Sequence, residues 1–284
     1  MIIIIINLFN NMKGFKKVEN NKNKESETEI YLIKNILKKK DKAKRFNLSK
    51  IIIYINFIII YFILYKVYNR KSVFKDKKSE LDYDSILKQH MRTSIVWPLP
   101  SEIKYKPWMD DENIIAFSYL MKPENIYFEF GSGGSTNIAS YYKLKTYSVE
   151  SNVEWHEKLK NESINANYIT IDLKGGALGH PGQGTTVEDW KKYIEAYKSE
   201  YNADIILIDG VFRVACAFNI FPKIRKDTII LFHDYSPQHY HQFQIIENYY
   251  IKVRQWGNLA AFFKNPFIDH IPEELYNTYV TRFD

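Results

Sequence analysis

A strand that runs directly into a glycine-rich turn and then into a helix restricts the fold of this sequence most. The stretch Tyr127–Thr136 reads YFEFGSGGST, and three of the eleven glycines of the chain stand within four of its residues. Glycine lets a ligand approach the backbone closely, and a following helix presents free N–H groups at its N-terminus. The stretch therefore predicts a nucleotide-type cofactor site.

Apolar strands alternate with helices from Trp97 onward. Strands are predicted at 125–130, 146–150, 168–171, 204–208, 228–232, 249–254 and 259–264, and helices at 110–121, 135–142, 152–161, 188–201, 212–221 and 239–248. Strict alternation with buried strands indicates an α/β fold, a doubly wound and mostly parallel seven-stranded sheet with helices on both faces. The last two strands, which are joined by a short turn, predict an antiparallel hairpin at the edge.

The charge of the chain is distributed unevenly. Residues 1–80 carry 19 Lys and Arg against 7 Asp and Glu, whereas residues 81–284 carry 21 against 26. The folded part is therefore mildly acidic, which argues against a nucleic-acid-binding core. The single cysteine, Cys216, excludes an intrachain disulfide.

Composition divides the chain into four segments. Residues 1–47 form a basic, low-complexity tail that we expect to be disordered. Residues 48–68 are predicted to form a transmembrane helix, residues 69–96 a stem, and residues 97–284 the enzyme-like domain.

The predicted membrane anchor depends on residues 51–65, which read IIIYINFIIIYFILY with Asn56 as the only polar residue. A span needs about 17–25 residues, a length reached here if Lys50 and Lys66 extend their ammonium groups to the interface. A buried helix of the soluble domain is the alternative, and the lysine-rich flanks disfavour it. With seven basic residues in 36–50 and six in 66–80, the orientation in the membrane stays open.

Two cofactor motifs compete for the glycine turn. The nicotinamide fingerprint G-x-G-x-x-G is met only in part, because Thr136 stands where the third glycine belongs. The pattern acid–apolar–Gly–x–Gly is met in full by Glu129–Gly133. In these residues the chain resembles the class I S-adenosylmethionine-dependent methyltransferases, over roughly residues 113–264. The resemblance implies a Rossmann-like fold and S-adenosyl-L-methionine as cofactor.

The resemblance also assigns the cofactor-binding residues. Glu150 stands nineteen residues after Gly131, where the family's acid bonds the ribose hydroxyls, and Asp172 stands at the usual adenine contact. Open α/β sheets bind ligands past the carboxyl ends of their strands, and an acidic rim suits a cationic cofactor. Helix N-capping is the alternative role for any one of these acids. The full predicted set is Glu129, Gly131, Ser132, Gly133, Gly134, Ser135, Glu150, Asp172 and Asp209.

The catalytic candidates follow the fifth strand. His233 is the first, because a histidine facing the cofactor cleft can take a proton near neutral pH. Asp234 and His239 are placed with it. A surface or core histidine is the alternative for His233 and His239, and a helix N-cap is the alternative for Asp234. The glycine-rich loop 174–186 is predicted to act as a lid over the cleft, with a flexible insertion as the alternative.

A divalent metal is conceivable but not favoured. Some O-methyltransferases hold a cation with acids at the ends of strands four and five, where this chain has Asp209 and Asp234. The catechol-type pattern has Asp-Asn where this chain has His233-Asp234, and a hard cation would not choose imidazole. The sequence therefore predicts no metal site.

The sequence thus predicts a membrane-anchored, single-pass methyltransferase that uses S-adenosylmethionine. The expected acceptor is an oxygen of a small molecule, sugar or glycan, and no nucleic-acid partner is expected. Two alternatives stay open: a nicotinamide-dependent oxidoreductase, and a non-catalytic membrane protein with a methyltransferase-like fold.

Overall fold

The computed structural model describes residues 82–162, 164–175 and 179–282. They form one sheet with helices on both faces. The strands are β1 Ile126–Phe130, β2 Lys145–Glu150, β3 Asn167–Thr170, β4 Ile205–Ile208, β5 Ile229–Phe232, β6 Tyr250–Trp256 and β7 Leu259–Lys264. The helices are α1 Tyr83–Gln89, α2 Asp111–Leu120, α3 Gly134–Tyr141, α4 Val153–Asn161, α5 Val187–Ile194, α6 Arg213–Ile220, α7 Tyr240–Phe243 and α8 Glu273–Val280, with 3₁₀ turns at Ser199–Tyr201 and Gln244–Asn248.

The seven strands have the order β3-β2-β1-β4-β5-β7-β6. β1 to β5 are parallel, and β7 lies antiparallel between β5 and β6. The predicted parallel sheet and its antiparallel edge hairpin are confirmed. The order reverses between β1 and β4, and open α/β sheets bind ligands at such a switch point.

Successive side chains of the central strands lie alternately in two separate cores, one on each face of the sheet. In β1, Phe128 and Phe130 pack with α5, α6 and α8, while Tyr127 packs on the opposite face with α1, α2 and α3. Burying one such large side chain contributes about 1.5–3 kcal/mol. Both faces are therefore covered, and only the strand ends and their loops remain for binding.

The folded unit begins earlier than the boundary at 97 that the sequence predicts. Tyr83 of α1 is buried and stacks on Phe263 at 5.0 Å between ring centroids, and Asp84 forms a 2.7 Å ion pair with Arg254. The second half of the predicted stem is thus part of the domain. Its seven-residue helix is too short to give a clear periodic pattern.

Two predicted helices are shorter than expected. The helix predicted at 188–201 ends at Ile194, and Tyr197 beyond its end packs edge-on against Phe128 at 4.9 Å between ring centroids. The helix predicted at 239–248 is one α-helical turn followed by the 3₁₀ segment Gln244–Asn248. The C-terminal helix α8 is absent from the prediction.

The predicted tail (1–47) and the predicted transmembrane helix (48–68) lie outside the described residues. Among the residues that are described, no helix has both the length and the apolar character needed to cross a membrane.

Candidate functional site

Two glycines of the turn after β1 allow other backbone segments to pack closely against it. Gly131 has φ +95°, and a Cβ there would lie 3.0 Å from the backbone of Gly210 in the loop after β4. At Gly134, a Cβ would come within 2.2 Å of the backbone nitrogen of Pro107. The turn therefore touches the β4 loop on one side and the segment before α2 on the other.

Gly133 is the glycine that faces open space. A Cβ built on it meets no protein atom within 4 Å. It stands directly before the eight-residue helix α3, whose N-terminus carries a partial positive charge. Of the three predicted glycine contacts, Gly133 offers the surface on which a ligand can rest against the backbone.

Glu129 lies beneath the turn rather than on its surface. Its carboxylate is fully buried and accepts hydrogen bonds from the hydroxyls of Tyr127 (2.7 Å), Ser135 (2.6 Å), Ser148 (2.6 Å) and Thr136. Burial raises the pKa of Glu129 to about 7, although each hydroxyl opposes the shift. The geometry gives Glu129 and Ser135 a role in holding the turn in shape.

Glu150 closes the other side of the turn at the end of β2. Its Oε2 accepts from the amide of Ser132 at 3.1 Å, and its Oε1 from the amides of Ser151 and Asn152 at 2.8 and 2.7 Å. Burial raises the pKa of this carboxyl group. A carboxylate oxygen has room for two donors, so Oε2 can accept one more hydrogen bond.

The remaining predicted cofactor residues occupy different positions. The hydroxyl of Ser132 lies 2.6 Å from that of Ser148, and its carbonyl accepts from the indole of Trp155 at 2.8 Å. Asp172 is exposed and accepts from the amide of Lys174 at 2.7 Å. Its predicted adenine contact stays a prediction.

The loop at 174–186 is tied down in its described parts. The amide of Gly182 donates to the carbonyl of Leu173 at 2.8 Å, and the hydroxyl of Ser151 donates to the carbonyl of Gly179 at 3.3 Å. Its action as a lid stays a prediction.

Asp209 and His233 meet where β4 and β5 end. The Nδ1 atom of His233 lies 2.7 Å from Oδ1 of Asp209, and the imidazole is nearly buried. Burial alone would lower the pKa of His233, but the hydrogen bond to Asp209 and its negative charge raise it above the usual value. Asp234 follows with φ +58°, its Oδ1 3.7 Å from the same nitrogen.

Arg213, at the start of α6, clamps these two loops together. Its guanidinium donates to the carbonyls of Gly210 (2.9 Å) and His233 (2.8 Å), and to Oδ2 of Asp234 (2.7 Å). Burial alone would raise the pKa of Asp234, but the charge of Arg213 lowers it. The sequence names Asp209, His233 and Asp234, and it leaves Arg213 open between orienting an acidic acceptor and pairing with Asp209. The hydrogen bonds of Arg213 to the loop after β5 are not predicted.

The same cluster has the arrangement of a metal site. One ligand atom from each of Asp209, His233 and Asp234 lies within 4.8 Å of the others. Arg213 lies 2.7 Å from Asp234 and 3.6 Å from Asp209, so its charge already offsets both carboxylates. A cation would have to compete with that guanidinium.

A cleft of about 520 Å³ opens beside the cluster. One wall is formed by Lys106, Pro107, Trp108, Met109 and Asp110, and the other by His233, Asp234 and Asn258. His239 is not among the lining residues; it is exposed, with Nδ1 3.3 Å from the hydroxyl of Ser236.

The first wall is absent from the sequence-based predictions, because its residues precede the first motif. The one feature of the sequence that could indicate this wall is the stretch 105–108, YKPW, in which two aromatic residues stand close to a proline.

No protein-family model matches the chain, and no curated protein matches it by sequence. Among solved structures, a methyltransferase-like protein from Silicibacter pomeroyi shares 25% identity over 63% of this chain and 98% of its own, with a TM-score of 0.56. A TehB-like SAM-dependent methyltransferase from Corynebacterium glutamicum shares 12% identity over 56% and 90%, with a TM-score of 0.36. MycE methyltransferase, solved with Mg, SAH and mycinamycin VI, shares 16% over 53% and 44%, with a TM-score of 0.32. With its strand order and its likeness to the Silicibacter protein, the chain has the fold of the class I S-adenosylmethionine-dependent methyltransferases.

Proposed function

We propose that this protein is an S-adenosylmethionine-dependent methyltransferase that transfers the methyl group to a hydroxyl of a small-molecule or glycan acceptor. The observation that carries the proposal is the Asp209–His233 pair, whose histidine lines a cleft that also includes Pro107, which packs against Gly134 of the glycine turn. The fold supplies the expected place for the cofactor, and the pair supplies a base at the acceptor side.

The residues of the turn fit the cofactor. Gly133 leaves open space against the backbone, and Oε2 of Glu150 can accept a further hydroxyl. Gly133 and Glu150 would therefore hold S-adenosylmethionine, which supplies an activated methyl group with a neutral thioether as its leaving group. Carboxylates at the strand ends attract its positive charge.

His233 is the proposed general base. Asp209 accepts the Nδ1–H of the ring and so leaves Nε2 free to take the proton of the acceptor. A positioned base contributes about 10²–10⁴-fold to such a step. Arg213 holds the carbonyl of His233 and thereby fixes the base against the β4 loop.

The nicotinamide alternative is disfavoured by topology. Dinucleotide-binding sheets have the order 3-2-1-4-5-6. Here an antiparallel β7 lies between β5 and β6. Together with Thr136 in place of the third glycine, this strand order favours a methyl donor over NAD.

Binding and transfer assays test the proposal. We expect the full chain in detergent to bind S-adenosylhomocysteine in calorimetry, NADH not to compete, and Glu150→Ala to weaken binding at least about tenfold, because a charged hydrogen bond contributes about 1.5–3 kcal/mol. His233→Asn is expected to retain binding and to lose transfer of the tritiated methyl group. Binding of NADH instead would contradict the proposal, and binding without transfer to any acceptor would favour the non-catalytic alternative.

The membrane anchor at 48–68 is proposed on its composition alone. We expect the full chain to stay in the membrane pellet after alkaline carbonate extraction, and a variant that lacks 48–68 to be released. Release of the full chain would contradict the anchor without affecting the enzymatic proposal.

A further inference from the structure

The wall of the cleft opposite His233 presents a bare aromatic ring. Residues 105–110 form this wall, and we call them the strap. The side chain of Trp108 is 86% exposed, and within the part of the chain that the structure describes it makes no hydrogen bond or ring contact. An exposed indole forgoes a large gain from burial, so its position beside a catalytic pair needs a reason.

The strap holds this ring on a fixed backbone. The amide of Tyr105 donates to Oδ1 of Asn137 at 2.9 Å, and its ring packs edge-on against Trp155 at 5.4 Å. Pro107 lies against Gly134 so closely that no Cβ fits between them. Trp108 is therefore carried by an anchored segment, which makes its ring a preformed surface for a ligand.

Two polar side chains of the same cleft have no partner among the described residues. The carboxylate of Asp110 stands at the N-cap of α2 without making a capping hydrogen bond, and it enters no ion pair. The side-chain amide of Asn258 is also unpaired, although its backbone carbonyl accepts from Tyr235 at 2.8 Å.

The other charged groups that line the cleft are already engaged. The ammonium of Lys106 lies 2.7 Å from Asp111, and the carboxylate of Asp234 lies 2.7 Å from Arg213. The cleft thus offers a ligand one flat ring, one carboxylate, one amide and the proposed base.

We infer that the acceptor is a neutral sugar ring, an inference that rests on the proposed function. The C–H face of a pyranose stacks on Trp108, hydroxyls of the ring donate to Asp110, and Asn258 can both donate and accept. The acceptor oxygen bonds to the methyl carbon as the carbon–sulfur bond breaks with its electron pair staying on sulfur, and the hydroxyl proton passes to Nε2 of His233.

The charges of the cleft select against other acceptors. The carboxylate of Asp110, which has no partner among the described residues, repels a phosphate or an acidic sugar. A neutral amine attacks with its free lone pair and needs no base, whereas a hydroxyl must lose its proton, so the part-buried Asp209–His233 pair suits a hydroxyl better.

Acceptor panels test the inference on the full chain in detergent. The panel contains methyl glycosides of glucose, galactose, mannose and rhamnose, then glucuronate, glucose 6-phosphate, glucosamine and catechol. Transfer is followed with tritiated S-adenosylmethionine, and binding of S-adenosylhomocysteine is measured separately by calorimetry. We expect a neutral glycoside to be the best substrate.

Variants of the cleft sharpen the test. Trp108→Ala should raise the KM for the glycoside about tenfold with kcat little changed, and Asp110→Asn should raise it about fivefold. Trp97→Ala is the matched control, because Trp97 is an exposed tryptophan that does not line the cleft. All three variants should bind S-adenosylhomocysteine as the unmodified protein does.

The outcomes separate the two proposals. If the unmodified protein does not bind S-adenosylhomocysteine, the proposed function fails and the inference falls with it. If binding is intact but no neutral glycoside is methylated, or an amine, acid or phenol is preferred, only the inference is overturned. Equal effects of Trp108→Ala and Trp97→Ala would also overturn it.

Discussion

Glu129 should make the stability of this protein fall as the pH rises through neutrality. Its pKa is about 7 in the folded protein against an ordinary value of 4.5, because the carboxyl group is buried. Between these two values the native state keeps a proton that the unfolded chain has released, so the unfolding free energy decreases with pH. At 1.36 kcal/mol for each pH unit, the decrease amounts to about 3 kcal/mol between pH 4 and pH 8.

The substitution Glu129→Gln isolates this contribution, because the amide has nearly the same shape and does not titrate. Urea unfolding of both proteins, followed by tryptophan fluorescence from pH 4 to pH 8, gives the difference in unfolding free energy at each pH. We expect the variant to gain about 3 kcal/mol relative to the unmodified protein across this range.

The four hydroxyls that donate to Glu129 can rotate, so they can accept from the side-chain N–H groups of the Glu129→Gln variant. The buried amide of the variant is therefore not left without an acceptor, and the comparison holds. Glu124→Gln, at an exposed carboxylate, is the control that should show no such trend. Parallel pH profiles for the unmodified protein and Glu129→Gln would refute the reasoning, since burial would then not bear on the charge of Glu129.

Three further substitutions test the turn and the catalytic pair. Gly133→Ala should change the unfolding free energy by less than about 1 kcal/mol, since its methyl meets no protein atom within 4 Å, yet weaken calorimetric binding of S-adenosylhomocysteine about tenfold or more. Gly134→Ala should lower the free energy of unfolding in urea by about 2 kcal/mol or more, because its Cβ would lie 2.2 Å from the backbone nitrogen of Pro107. Equal stability of the Gly133→Ala and Gly134→Ala variants would contradict the different roles of the two glycines. Asp209→Asn removes the charge that raises the pKa of His233, so the rising limb of the rate–pH profile should move to lower pH. The rate of methyl transfer should also fall about 10²-fold. A limb that does not move would count against His233 as the base.

The strands and the acids at their ends could be predicted because their signals are local. Apolar runs of four residues indicate β4 and β5, and shorter apolar or alternating patterns indicate β1 to β3. Parallel strands bring their carboxyl ends to one edge, so the sequence predicts Asp209 and His233 at the ends of β4 and β5, which is where they lie. Their direct contact, by contrast, depends on the register of β4 and β5.

The supporting role of Glu129 can be predicted from the sequence, but only when two arguments are combined. Alternation along β1 puts Glu129 on the same face as Tyr127, hence on a covered side of the sheet. The register then places Ser148 of β2 directly beside it. A strand-end acid whose own strand and neighbouring strand both carry hydroxyls is better interpreted as buried support than as a ligand contact.

The strap could not be predicted, because nothing in its sequence is periodic. Trp108 and Asp110 lie in a connection without a helix or strand of its own, and such segments give no pattern from which a position follows. Long-range contacts decide which strand end they cover, among them Pro107 on Gly134 and Tyr105 on Asn137. The sequence predicts Gly134 as a cofactor contact, which stays a prediction, and it gives no sign of the segment that packs against this glycine.

This contact links the choice of acceptor to the cofactor turn. Gly131 brings the β4 loop, whose Asp209 bonds to His233, to one side of the turn, and Gly134 brings the strap to the other. Two glycines three residues apart therefore contact one wall of the cleft and the loop that supports His233 in the other. Because the strap is fixed at Pro107, the side chains beyond it can change without moving the backbone that carries them. Substitutions at Trp108 should therefore alter which acceptor is methylated and leave the affinity for the cofactor unchanged, whereas a side chain at Gly134 should disturb both.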